Sequence, residues 1–149
     1  MKALVLAFAA AAALASGLSA VTAARAETIS LVADLSGASS VPPNDATGTG
    51  RAGATFDTDT RVLRWQVTYE GLSGPMVGAH IHGPSEPGAN AGIVVGFDPI
   101  GVSPIIGSFE LSEAQAVELL EGLFYVNLHT ALHPGGEIRG HLIETGPGM

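Results

Sequence analysis

Residues Ala52 to Tyr69 read AGATFDTDTRVLRWQVTY, and the order of polar and apolar residues in this stretch decides the fold class. Ala52, Ala54 and Phe56 alternate with Gly53, Thr55 and Asp57, and Leu63, Trp65, Val67 and Tyr69 alternate with Arg64, Gln66 and Thr68. A period of two puts one set on a buried face and the other toward water, the pattern of a half-buried strand. Between the two runs lies Asp57-Thr58-Asp59-Thr60, short polar residues that favour turns. The stretch is a hairpin, with the single tryptophan pointing into the core. Asp57 and Asp59 offer carboxylates of the kind calcium takes, but a D-T-D-T turn is more simply a solvated hairpin end.

The same period recurs on both sides. Ile29, Leu31, Ala33 and Leu35 alternate with Thr28, Ser30, Val32 and Asp34, and the loop 36–44 carries Gly37 and Pro42-Pro43. Met76 to His82 is a strand, then come a Pro- and Gly-rich loop 83–90, Ile93-Val94-Val95 and Ser108 to Leu111. Ser112 with Gln115 three residues on is a capping-box signal for one short helix carrying Ala114, Val117, Leu119 and Leu120, ended by Gly122. Phe124, Val126 and Leu128 alternate with Tyr125, Asn127 and His129, and a turn at 133–136 leads to a last strand, Glu137 to Ile143. The expected architecture is all-β: an antiparallel, Greek-key-like β-sandwich of seven or eight strands with one short helix.

The N-terminus is different. Met1-Lys2 precedes the apolar run Ala3 to Ala15, and small residues end in Ala24-Arg25-Ala26. A charged start, a short hydrophobic core and an A-x-A site make a secretory signal peptide, residues 1–26, cleaved after Ala26. The mature domain is then 27–149, exported to a periplasm or secreted. It has no lysine, and Arg51, Arg61, Arg64 and Arg139 face fourteen Asp and Glu residues, a net charge of −10. That balance excludes nucleic acid and anionic lipid as partners, since Lys and Arg contacts supply that affinity. Without cysteine there is neither a disulfide nor a lipid anchor, and the expected partner is an unidentified protein or surface ligand.

All five histidines fall in two segments, GAHIHGP (78–84) and YVNLHTALHPGGEIRGHL (125–142). His80 and His82, two apart on a strand, share one face. His129 shares a face with Asn127 and Tyr125, and His141 with Glu137 and Arg139. A hairpin closing at Gly135-Gly136 sets His129 near Arg139 and Asn127 near His141. Imidazole suits copper and zinc, so His80, His82 and His129 are candidate metal ligands, with His141 a weaker one and Arg139, Asn127 and Glu137 a polar network around them. The plainer account is a polar network that locks two strands together, with His133 a loop residue and Glu137 and Arg139 a surface ion pair.

Those two segments, with Val41-Pro42-Pro43 and Ala46-Thr47-Gly48, resemble the CHRD (chordin) domain family over roughly Thr28 to Glu144. That family occurs in secreted animal antagonists of growth-factor signalling and in many exported microbial proteins. The resemblance implies a binding module, but a single copy without cysteine-rich modules does not carry the animal role with it. A second resemblance is to the copper/zinc superoxide dismutases, whose copper strand reads G-x-H-x-H, matched by Gly78, His80 and His82. It implies a further ligand at His129 and an active-site arginine at Arg139. The chain departs from that pattern in lacking a zinc-holding loop and the cysteines of a disulfide, so the resemblance implies at most a copper-only site. No nucleophile elbow, cysteine nucleophile or phosphate-cradling loop is present. The expectation is a non-enzymatic interaction module, with copper or zinc binding through the H-x-H strand, and superoxide dismutase-like redox activity, as the alternative.

Overall fold

A computed structural model describes residues 26–146. The expected signal peptide, apart from Ala26, lies outside the described residues. Among the described residues, nine strands and one α-helix follow one another, with a 3-10 turn at Gly37–Ser39: β1 (Thr28–Ser36), β2 (Thr49–Asp57), β3 (Val62–Glu70), β4 (Met76–His82), β5 (Ile93–Gly96), β6 (Ile105–Glu110), α1 (Glu113–Leu120), β7 (Tyr125–Thr130), β8 (Ile138–His141) and β9 (Ile143–Glu144). The count exceeds the expected seven or eight because the last strand is split at Leu142. That residue turns fully into the core while its N–H donates to the Phe124 carbonyl at 2.9 Å.

Every pairing is antiparallel, in the order β5-β4-β7-β8-β1-β2-β3-β6, with β9 added to β1. The ladder narrows to one residue pair, Ser36 with Arg139, between β8 and β1. There the sheet folds over into two leaflets, β6-β3-β2-β1 and β8-β7-β4-β5. The fold is a nearly closed sandwich whose leaflets meet face to face: Trp65 of β3 stacks on Phe97, just past β5, with ring centroids 4.9 Å apart. Leu31, Ala33, Leu35, Ala52, Ala54, Phe56, Leu63, Trp65 and Val67 are buried, so the alternation in β1, β2 and β3 points inward as the sequence predicts. Gly107 lies so close to the Trp65 indole that a Cβ there would overlap the ring, which makes glycine the residue that admits the tryptophan.

The capping box forms: the Gln115 amide N–H donates to the Ser112 hydroxyl at 3.2 Å, and the Ser112 N–H donates to the Gln115 side chain at 2.9 Å. The helix turns Ala116 and Leu119 inward, while Val117 and Leu120 of the expected apolar stripe stay exposed. Gly122, at φ +77°, ends it in the left-handed conformation that glycine enters without strain.

Glu137 is fully buried and forms no salt bridge among the described residues. Its carboxylate accepts from the Ser73 N–H at 2.7 Å, the Ser73 hydroxyl at 2.6 Å and the Thr130 hydroxyl at 2.5 Å. Its carbonyl accepts from the Ser40 hydroxyl at 3.2 Å and the Asn44 amide at 3.1 Å. One residue therefore ties the β3–β4 connection, the loop after β1 and the β7–β8 hairpin together. Burial pushes its carboxyl up, but the hydrogen bonds from Ser73 and Thr130 outweigh that and hold it below the usual carboxylate range. A depressed folded-state value stabilises the fold above the unfolded value near 4.5, and that contribution is lost as pH falls through the folded one. Glu137→Ala, which strands three donors, is expected to cost about 3 kcal/mol or more in chemical denaturation at pH 7. The gap between variant and wild type should narrow steadily below pH 4.5. An equal gap at pH 7 and pH 3 would show that the carboxylate charge is not what stabilises.

Candidate metal centre

On β4 the core takes Ala79 and Ile81, so period two sends His80 and His82 to the opposite, outer face. On β7 the core takes Val126 and Leu128, leaving Tyr125, Asn127 and His129 outside, and on β8 it takes Ile138, leaving Arg139 and His141 outside. Register assembles these into rows: His80–Asn127–Arg139 in one, His82–Tyr125–His141 in the next. The expected neighbours, His129 with Arg139 and Asn127 with His141, are therefore displaced by two residues. The hairpin turns at Ala131-Leu132, where Thr130 and His133 exchange backbone hydrogen bonds, and Gly135-Gly136 belongs to a second turn closed by the Gly136 N–H on the His133 carbonyl at 3.0 Å. Gly136, at φ +121°, lets the chain pass so near Asn127 that a Cβ would overlap that side chain.

His80, His82 and His129 converge, with one ring nitrogen from each lying within 4.8 Å of the others. His80 Nδ1 and His129 Nε2 are 3.1 Å apart. His82 Nδ1 faces the Ala91 carbonyl at 3.0 Å, and His129 Nδ1 faces the Pro134 carbonyl at 2.9 Å. A carbonyl only accepts, so both rings carry their proton on Nδ1 and keep a lone pair on Nε2, which in His129 accepts from the His80 Nδ1–H, a proton that a bound metal would displace. This is how ligating histidines are oriented by an outer shell of acceptors. His82 Nε2 is buried with no hydrogen-bond partner. Bonds of about 2.0–2.1 Å at tetrahedral or trigonal angles need nitrogens about 3.3–3.6 Å apart, so the widest pair must close by roughly an ångström. Room for His80 comes from glycine: a Cβ on Gly78 would stand 3.1 Å from its Cε1, and one on Gly96 would stand 3.7 Å from its Cδ2.

Burial holds His80 below the ordinary imidazole value, helped by the neighbouring His129 and His82. Burial does the same to His82, opposed by its hydrogen bond to Ala91 and reinforced by His129 and Arg139. Both are neutral at neutral pH, the form that binds metal. The donor set is three imidazole nitrogens, which fits copper or zinc and leaves a coordination position for an exogenous ligand. His141 stands apart: its Nε2 donates to the Ser85 carbonyl at 2.9 Å, and burial lowers its value too. His133, half-buried in the hairpin loop, is outside the cluster as well.

The outer face is covered. The loop 83–92 lies across it, leaving Tyr125 and Arg139 each only 1% exposed. The Arg139 guanidinium donates to the Ala89 carbonyl at 2.7 Å and the Asn90 side chain at 3.0 Å, and its Cζ sits 3.4 Å from the Tyr125 ring centroid. On the β4 side, the His82 ring stacks parallel to the same tyrosine at 4.9 Å. Arg139 and Glu137 do not pair as expected: β8 begins at Ile138, and the Glu137 side chain turns toward Ser73 and Thr130 rather than toward the histidines. Arg139, engaged with the loop, is also not a free cationic guide for an anion. Tyr125 is the residue that sequence reasoning passed over; its place in the alternation was visible, but its partner loop was not.

A model of the CHRD domain matches residues 31–142, most of the chain, and the protein belongs to the CHRD domain family. No curated protein and no solved structure gives a significant match.

Lysine cannot reproduce the planar, two-acceptor grip of Arg139 on the loop and on Tyr125. Arg139→Lys is expected to lower stability by about 1–3 kcal/mol in chemical denaturation and to speed amide exchange at Ala89 to Ala91. Unchanged exchange there would mean that the loop is held by something else.

Proposed function

We propose that this protein is an exported CHRD domain that binds copper or zinc through His80, His82 and His129. The CHRD assignment supports an extracellular-type binding module at the level of the family. The observation that carries the metal reading is the convergence of the three imidazoles, with His82 and His129 each fixed by a backbone carbonyl and the His82 Nε2 lone pair left without a partner. Buried polar groups are as a rule hydrogen-bonded, and of the four that lack a partner among the described residues, Trp65 Nε1, His82 Nε2, Asn127 Oδ1 and Arg139 Nε, only His82 Nε2 is a lone-pair nitrogen beside two further imidazoles. The arrangement of Arg139 under its loop favours a binding site over superoxide dismutase-like turnover. Cleavage after Ala26 and a mature domain of 27–149 belong to the same proposal.

The resident metal would add its binding free energy to the folded state. The mature protein should therefore bind Zn(II) or Cu(I) in chelator competition and melt at a higher temperature when loaded. His80→Ala, His82→Ala and His129→Ala should each weaken binding by about 100-fold or more, whereas His133→Ala should leave it unchanged. Affinity that survives all three substitutions would remove the ligand assignment, and a wild type that binds neither ion below about 100 μM would remove the metal reading.

A further inference from the structure

His82 Nε2 is useful to a metal only while the ring proton stays on Nδ1, and its main acceptor there is the Ala91 carbonyl at 3.0 Å, with the Gly92 backbone a lesser one. Ala91 lies in the loop 83–92, where Pro84, Glu86, Pro87, Gly88, Ala89 and Asn90 are all exposed, so no buried apolar side chain anchors its crown. Its two ends are tied by the Gly83 N–H on the Gly92 carbonyl at 3.2 Å. Ala91 itself is held by Tyr125: the Ala91 N–H donates to the tyrosine hydroxyl at 3.0 Å, and the hydroxyl donates back to the Ala91 carbonyl at 3.4 Å. Two neighbours confine the tyrosine: His82 stacks on its ring at an interplanar angle of 2°, and the Arg139 Cζ lies 3.4 Å from its centroid.

Resting on the metal reading above, we propose that Tyr125 is a positioning residue of this centre. Its hydroxyl fixes Ala91, the Ala91 carbonyl keeps the His82 proton on Nδ1, and the Nε2 lone pair is thereby kept available beside His80 and His129. The ring proton has an alternative home on Nε2, where it would find no acceptor, so the carbonyl selects the tautomer by hydrogen bonding to one of the two. Tyr125 touches no metal in this scheme. It acts through the backbone of the loop, and it makes the loop an outer part of the site rather than a surface connection.

Tyr125→Phe keeps the ring and its stacking and removes only the hydroxyl. In the metal-free mature protein, nitrogen NMR of the His82 ring should show the Nδ1–H tautomer in the wild type and a mixture in Tyr125→Phe. Zn(II) affinity in chelator competition should fall about 10–100-fold, as for other outer-shell partners of a ligand. Tyr69→Phe is the matching control, since it removes the same hydroxyl from β3, in the other leaflet. It should leave the His82 tautomer as in the wild type. The inference is overturned if the wild-type ring carries its proton on Nε2, if Tyr125→Phe keeps the wild-type tautomer, or if Tyr69→Phe shifts it equally. A wild type that binds no Zn(II) would sink the metal reading, while the tautomer measurement would still decide the role of Tyr125.

Discussion

Much of the outer face of the β4–β7–β8 leaflet depends on a guanidinium buried without a carboxylate. Arg139 is compensated by the Ala89 carbonyl, the Asn90 side chain and the face of Tyr125. Each of these partners has a second task. The carbonyl and the asparagine belong to the loop 83–92, so satisfying the cation draws that loop onto the sheet. The tyrosine is pressed against His82, so the same stack orders a candidate ligand. A carboxylate partner would have neutralised Arg139 locally and left the loop unneeded. Burying a charge is costly unless it is paired or well hydrogen-bonded, and here the Ala89 carbonyl, the Asn90 side chain and π-electrons compensate the guanidinium while its Nε stays without a partner.

The second consequence is electrostatic. With the Arg139 charge nearby, protonating His82 or His141 is unfavourable beyond the effect of burial, which is the larger cause. His80 is discouraged from charging by burial and by its two histidine neighbours. His80 and His82 are thus biased toward the neutral form. The one buried carboxylate in the same hairpin, Glu137, is turned to the other side and satisfied by hydroxyl and amide donors. Keeping anion and imidazoles apart defines the donor set.

The division between what the sequence revealed and what it hid follows the range of the interactions. Alternation in β1, β2 and β3 and the bounds Met76–His82 were legible because period two is a local consequence of strand geometry. The Ser112–Gln115 box was legible because its partners are three residues apart. The register of β7 on β8 was not. Gly135-Gly136 looks like a hairpin apex, yet the chain turns earlier at Ala131-Leu132, and a two-residue difference moved every cross-strand neighbour of Arg139. Tyr125 was hidden for a different reason: its role requires a loop more than thirty positions away, whose exposed Pro and Gly residues announce a connection and nothing more.

The shape of the proposed site bears on selectivity. Residues 27–149 carry a net charge of −10, which concentrates cations at their surface, and hard ions such as calcium and magnesium have many exposed carboxylates to meet there. None of those carboxylates belongs to the histidine cluster. An oxygen-seeking ion gains nothing by moving from a surface aspartate to three imidazoles, and it would have to shed water to do so. Copper and zinc gain nitrogen ligands by the same move. The acidic exterior and the nitrogen-only interior would therefore sort ions in sequence: the surface gathers cations without discrimination, and the covered face holds those that prefer imidazole.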